Sequence, residues 1–153
     1  MGEIMIAITI VRPEQKHRAD WDRLYRGYAD FYKVEQTQEM RDRVWSWLQD
    51  SAHAVKGFLA LGPDEHPIGL THYRPYARPL MAATGGFLDD LFVHPTHRGS
   101  KAAEALIEAV CAEGKKQGWT VIRWITAEDN YRARGLYDRL AERTKWVTYD
   151  IRL

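Results

Sequence analysis

Apolar positions along the chain switch repeatedly between a period near two and a period near 3.6, and the switches divide it into short elements. The stretch Ile4–Arg12 (IMIAITIVR) is rich in β-branched residues and predicts a first strand. It carries no basic leader and no clear cleavage site, so it reads as a strand rather than a signal peptide. Trp21, Leu24, Tyr25, Tyr28, Phe31 and Tyr32 recur at helical spacing and predict a helix with one aromatic stripe. Thr37, standing ahead of Met40, Val44, Trp47 and Leu48, predicts a second helix with a threonine cap. The segments AVKGFLAL and PIGLTHYRPY predict two strands joined by the turn GPDEHP. Ala77–Gly86 reads as an irregular loop. FLDDLFVH then predicts a strand bearing two carboxylates. The helix after it places Ala103, Leu106, Ile107, Val110 and Cys111 on one face. WTVIRWIT is almost unbroken in its apolar character, as a strand inside a sheet would be. NYRARGLYDRLAER predicts a last helix and KWVTYDIRL a closing strand.

Strands interspersed with helices on this scale predict one α/β domain, residues 1–153, around a single central sheet. The composition is that of an ordinary globular chain, with 45% hydrophobic and 28% charged residues. A net charge of +1, without a basic aromatic stripe, argues against a nucleic-acid partner and against electrostatic attraction to a membrane. No run reaches the roughly 18–20 apolar residues that a membrane-spanning helix needs. With a single cysteine, Cys111, a disulfide within the chain is impossible, which points to a reducing, cytoplasmic compartment.

Candidate chemistry concentrates between Phe92 and Val110 (FVHPTHRGSKAAEALIEAV). A strand that turns sharply into a helix directs free backbone N–H groups and the helix dipole at whatever lies above the helix start, and both favour an anion. Arg98 adds a donor suited to phosphate, Gly99 lets the backbone approach, and Ser100, Ala102 and Ala103 are small. The same stretch also fits a solvated turn before an amphipathic helix. A second strand end leads through Asn130 into a helix carrying Arg134 and Tyr137. In an open α/β sheet two such ends, if adjacent, form a ligand crevice, although Tyr137 equally suits a core position with a wet hydroxyl. Asp89 and Asp90 face opposite sides of their strand unless a bulge intervenes, so one of them at most points into a cleft. His94 and His97 flank Pro95 without further ligands at metal spacing, so no metal site is expected.

The order of these segments, LDDLFVHPTHRGSKAAEALIEAV followed by WITAEDNYRARGLYDRLAERTKWVTYDI, resembles the GCN5-related N-acetyltransferase (GNAT) superfamily. The likeness is strongest to its small histone, polyamine and D-amino-acid acetylating branch and to spermidine/spermine acetyltransferase-like proteins. WDRLYRGYADFY resembles that branch's first helix. The resemblance implies a single-domain GNAT fold with a central mixed, mostly antiparallel sheet flanked by helices. It implies an acetyl-CoA-dependent N-acetyltransferase that acts on a primary amine of a small molecule by direct attack. A protein lysine or N-terminal acetyltransferase, or a CoA-binding module that has lost turnover, are the alternatives. Leu91, Phe92 and Val93 would pair with the pantetheine arm, Arg98, Gly99, Ser100, Lys101, Ala102 and Ala103 would hold the diphosphate, and Asn130 and Arg134 would contact the cofactor. Tyr137 would protonate the departing thiolate, Asp89 would assist amine deprotonation, and Tyr28 and Tyr32 would line the amine cleft. The family places a glycine where this chain has Lys101. A residue there with positive φ would be strained as lysine, whereas an ordinary first-turn position would accept it. The resemblance also implies a homodimer formed through the last strands.

Overall fold

The structure is a computed structural model and describes residues 7–153, so the first part of the expected opening strand lies outside the described residues. A five-stranded sheet has the order β1-β2-β3-β4-β5, with β1 Thr9–Val11, β2 Lys56–Leu61, β3 Pro67–Arg78, β4 Ala83–Val93 and β5 Ile122–Arg123. The first four strands are antiparallel neighbours, and β5 joins β4 in parallel. Helices α1 (Arg18–Phe31) and α2 (Gln38–Gln49) precede β2, α3 (Ala102–Gln117) connects β4 to β5, and α4 (Tyr131–Leu140) follows. This is the mixed, mostly antiparallel sheet with flanking helices that the sequence predicts.

Strand alternation sorts side chains onto two faces. On one face Leu59, Leu61, Leu70 and Phe92 pack against Trp21 and Leu24 of α1 and Trp45 of α2. On the other, Ala60, Ile68, Tyr73 and Leu88 pack against Leu106, Ile107 and Val110 of α3. α2 starts where expected, because the Thr37 hydroxyl accepts the Met40 N–H at 3.2 Å.

Three expectations are corrected. Ala77–Gly86 is not an irregular loop: β3 and β4 form a long hairpin whose ladder reaches Arg78↔Ala83. A short 3₁₀ turn at Pro79–Met81 closes it, with Ala82 in the left-handed region at φ 50°. WTVIRWIT contributes only two ladder positions, Gly86↔Ile122 and Phe87↔Arg123. KWVTYDIRL joins no sheet. Trp146, Val147, Tyr149, Ile151 and Leu153 are all exposed, Trp146 at 82% and Tyr149 at 90%.

Two features of β4 shape the site. Pairing with β5 stops at Phe87, so Leu88–Val93 keeps an unpaired edge on that side. Opposite β3 the register shifts, with His72 facing Asp90 but Tyr73 facing Leu88, so Asp89 is the extra residue of a bulge. The bulge separates the two aspartates. It leaves Leu88 on the α3 face and turns Asp90 and Phe92 to the α1 face.

Candidate active site

The unpaired edge of β4, the start of α3 and one side of α4 enclose a cavity of about 750 Å³. Leu91, Phe92 and Val93 line it, as do Arg98, Gly99, Ser100, Lys101, Ala102 and Ala103. Asn130 and Tyr137 face it from the other side, and Tyr28 and Tyr32 close it from α1. Segments far apart in sequence therefore meet in one crevice.

The loop before α3 makes that crevice suitable for an anion. Among the described residues, the N–H groups of Gly99, Lys101, Ala103 and Glu104 have no protein acceptor. The Ala102 N–H turns to the Ser100 hydroxyl at 3.4 Å, and helical bonding begins with the Ala105 N–H on the Lys101 carbonyl at 3.0 Å. Free donors at the head of a 16-residue helix favour negative charge. The Arg98 guanidinium lies over the Phe31 ring, 5.9 Å from its centroid, at the cavity margin. Gly99 has φ 83° and open space where a Cβ would stand. Lys101 adopts φ 68° and ψ 13°, so it is not a first-turn helical residue. It holds the left-handed conformation in which glycine carries no steric penalty, and its N–H stays free.

Tyr137 lies against Trp124, with ring centroids 5.4 Å apart. Burial, then the neighbouring Tyr32, pushes its phenol up to about 12, so it keeps its proton at neutral pH. Asn130 donates to the Thr126 hydroxyl at 3.1 Å.

Two expected residues stand apart. Arg134 donates to the Glu128 carbonyl at 2.5 Å and does not line the cavity. Asp89 also lies outside the lining, where its carboxylate accepts from Arg74 Nε at 3.1 Å. Burial holds Asp89 above the usual carboxylate range, and Arg74 only partly offsets this.

Asp90 turns to the α1 face, and like Asp89 it does not line the cavity. Its Oδ2 accepts from the Tyr25 hydroxyl at 2.9 Å and lies 2.8 Å from His72 Nδ1. Burial alone would raise its pKa, but the hydrogen bond and positive end of the His72 imidazole, then Tyr25 and Tyr28, bring it below the ordinary value. Burial, followed by the Asp90 charge, raises both Tyr25 and Tyr28. Neither residue of the Asp-Asp pair marks the bulge in the sequence, so which of them turns to the α1 face is not legible there. The sequence reading missed the lining residues Phe31, Arg132 and Arg139, whose spacing carries no distinguishing signal. No group of three or more possible metal ligands exists among the described residues.

Residues 21–141 match the Acetyltransferase (GNAT) family. Over 143 residues the chain is 26% identical to the D-amino-acid N-acetyltransferase HPA3 of Saccharomyces cerevisiae, covering 93% of this chain and 89% of that one. Its fold is similar to that of a ribosomal-protein-alanine N-acetyltransferase from Brucella melitensis, with TM-score 0.80, 23% identity, and coverage of 96% and 99% of the two chains. It is also similar to the aminoglycoside N-acetyltransferase AAC(6')-Iy solved with CoA, with TM-score 0.81, 20% identity, and coverage of 96% and 95%.

Proposed function

The chain belongs to the GNAT family of acetyltransferases, and from that premise we propose that it transfers acetyl from acetyl-CoA to a primary amine of a small molecule. One observation carries the reading: a single cavity joins an unpaired strand edge, a helix start with free N–H donors, and a protonated phenol. The residues present fit acetyl-CoA. The N–H groups around Gly99–Glu104 and the Arg98 guanidinium suit the diphosphate, and the β4 edge at Leu91–Val93 suits the amide-bearing pantetheine arm.

The amine nitrogen attacks the thioester carbon directly, the carbonyl oxygen takes up negative charge, and the C–S bond breaks as the amide forms. A main-chain N–H of the β4 edge stabilises the oxyanion. Tyr137 donates its proton to the thiolate sulfur, and the proton lost by the amine nitrogen restores the phenol through solvent. Tyr28 and Tyr32 form the acceptor wall, where ring faces attract a cation. The D-amino-acid acceptor in the name of the yeast relative supports a small amine over a protein acceptor.

The enzyme is proposed to act in the cytoplasm as a homodimer. The lone cysteine favours a reducing compartment, and the exposed apolar positions of residues 145–153 favour burial against a second copy. Sedimentation gives the mass directly, and a monomer at micromolar concentration would remove the dimer.

Calorimetry with acetyl-CoA tests the function. Wild type should bind and Arg98→Glu should lose at least about tenfold in affinity. Tyr137→Phe should bind normally yet release free thiol at least about tenfold more slowly with an amine acceptor. Failure of the wild type to bind acetyl-CoA would end this reading.

A further inference from the structure

A second cavity, of about 500 Å³, lies at the far end of the sheet and shares no lining residue with the first. It opens where β1 gives out. The β1–β2 ladder ends at Val11↔Leu59, and Pro13, which has no N–H, does not extend it. β2 runs on past that point to Lys56, which pairs with Tyr73 of β3. The end of α2 and the last turns of α3 close the space. Gln49 of α2 donates to the Pro13 carbonyl at 3.2 Å, and Glu113 and Gln117 stand on α3. Glu113 lies about three turns, or about 16 Å, along α3 from the helix start at the first cavity.

Strand alternation brings the polar groups together. Ile10 and Phe58 pack on the α3 face, so Arg12 and Lys56, two positions away along their strands, take the same face beside Tyr73. Tyr73 is 1% exposed, and its ring stacks on Phe58 at 5.3 Å. Its hydroxyl oxygen accepts from Arg12 Nη1 at 3.2 Å, but its own proton meets no acceptor among the described residues. Burial raises this phenol above its ordinary range, so the proton stays on at neutral pH. A buried O–H without an acceptor is destabilising, and this one belongs to the wall of a cavity.

The charges nearby are only partly matched. The Arg12 guanidinium lies over the Phe58 ring, 4.8 Å from its centroid, and Nη2 forms a loose ion pair with Glu113 Oε2 at 3.5 Å. Glu113 Oε1 is taken by Gln117 Nε2 at 2.9 Å. Lys56 Nζ rests on the main-chain carbonyls of Asp50 at 3.3 Å and Ser51 at 3.0 Å, and no carboxylate pairs with it among the described residues. His53 lies flat on Trp47, and its Nδ1 accepts the Val55 N–H at 3.0 Å, which leaves Nε2 as a further donor. Arg12 and Lys56 against Glu113 leave one positive charge in excess. The remaining wall, at Leu48, Pro75 and Trp119, is apolar.

We propose that this cavity is a second ligand site, built for a small organic monocarboxylate with an aromatic or aliphatic body. The carboxylate accepts from the Tyr73 O–H, Arg12 and Lys56, and the body lies against Leu48, Pro75 and Trp119. Glu113 beside Arg12 opposes a second negative charge, which disfavours phosphates and dicarboxylates. The site is independent of the acetyltransferase reading.

Calorimetry with 3-phenylpropionate tests it. Wild type should bind with a Kd at or below about 1 mM. 3-Phenylpropanamide has the same shape without the charge and should bind at least about tenfold more weakly. Tyr73→Phe removes one hydroxyl and keeps the ring, and it should weaken 3-phenylpropionate about tenfold, as should Arg12→Gln. Circular dichroism checks that each variant is folded. The Arg12 side chain is half exposed, so its replacement tests the site even where Tyr73→Phe does not fold. Saturating acetyl-CoA should leave the Kd within about twofold, because the two cavities share no residue. Competition between the two ligands would place the carboxylate in the first cavity and overturn the proposal. So would the absence of binding to wild type at about 10 mM ligand, equal binding of the amide, or unchanged affinity in the folded variants.

Discussion

Lys101→Gly is expected to stabilise the protein, although it removes a side chain from the loop that lines the cavity before α3. Lys101 holds φ 68° immediately before α3. There a β-carbon crowds the following carbonyl oxygen, at a cost of about 1–2 kcal/mol relative to right-handed backbone. Glycine removes that strain but gains freedom in the unfolded chain, which takes back about 0.4–1 kcal/mol. The net gain is about 0.5–1 kcal/mol. For a chain of this length one kcal/mol moves Tm by about 2–4 °C, so the expected rise is about 1–4 °C. Thermal unfolding followed by circular dichroism measures it, with Lys101→Ala as the control. Alanine removes the ammonium but keeps the β-carbon, so the strain stays and Tm should hardly change. A rise in the alanine variant equal to that in the glycine variant would refute the backbone argument and assign the effect to charge. A fall with glycine would show that the loop does not hold this conformation. Acetyl-CoA affinity should change little in Lys101→Gly, because the N–H at this position is retained and only the mobile ammonium is lost.

Other perturbations test other parts of the site. Gly86→Ala puts a methyl group 2.4 Å from Trp119 Cε3 and 2.8 Å from Ile122 Cδ1, so it should cost about 1–3 kcal/mol in urea unfolding by wedging β4 from β5. Thr37→Ala removes the hydroxyl that caps α2 and should cost about 1 kcal/mol in the same assay. The buried Tyr137 phenol rises from 10.0 to about 12 on folding, so the unfolded chain gives up this proton first. Its contribution is fully present below pH 10.0 and is lost as pH rises towards about 12. The alkaline fall in unfolding free energy should therefore be shallower in Tyr137→Phe; an unchanged slope would place the phenol in solvent.

The sequence carried most of the element order and the residues of the loop before α3 that line the cavity, because both depend on local patterns. The turn at Arg98–Ala103 must lie at a helix start, since small residues precede the amphipathic run Leu106, Ile107, Val110. The parts that were not legible depend on partners. WTVIRWIT has the same apolar character whether its residues extend a ladder or leave it, and here the ladder ends at Arg123, beside the Trp119 ring that packs on Gly86. Val147, Tyr149, Ile151 and Leu153 alternate as a strand would, but alternation does not specify which edge such a strand takes. Arg134 sits on the predicted helix, yet its guanidinium turns back to the Glu128 carbonyl.

The bulge at Asp89 links core and site. Were Asp89 an ordinary ladder residue and not the bulge, Asp90 would share a face with Leu88, which is buried against Tyr73, Ile107 and Val110. A carboxylate there would lose His72 and Tyr25 and meet only hydrocarbon and a phenol that Arg12 already contacts, at a cost of several kcal/mol. With the bulge, Leu88 keeps its place in the α3 core while Asp90 reaches the donors beneath α1. The same irregularity lies in the part of β4 that β5 has already left, so the strand's edge is open where the thioester would lie. One inserted residue thus puts Leu88 and Asp90 on opposite faces, and a regular β4 would sacrifice either the core or the carboxylate's partners.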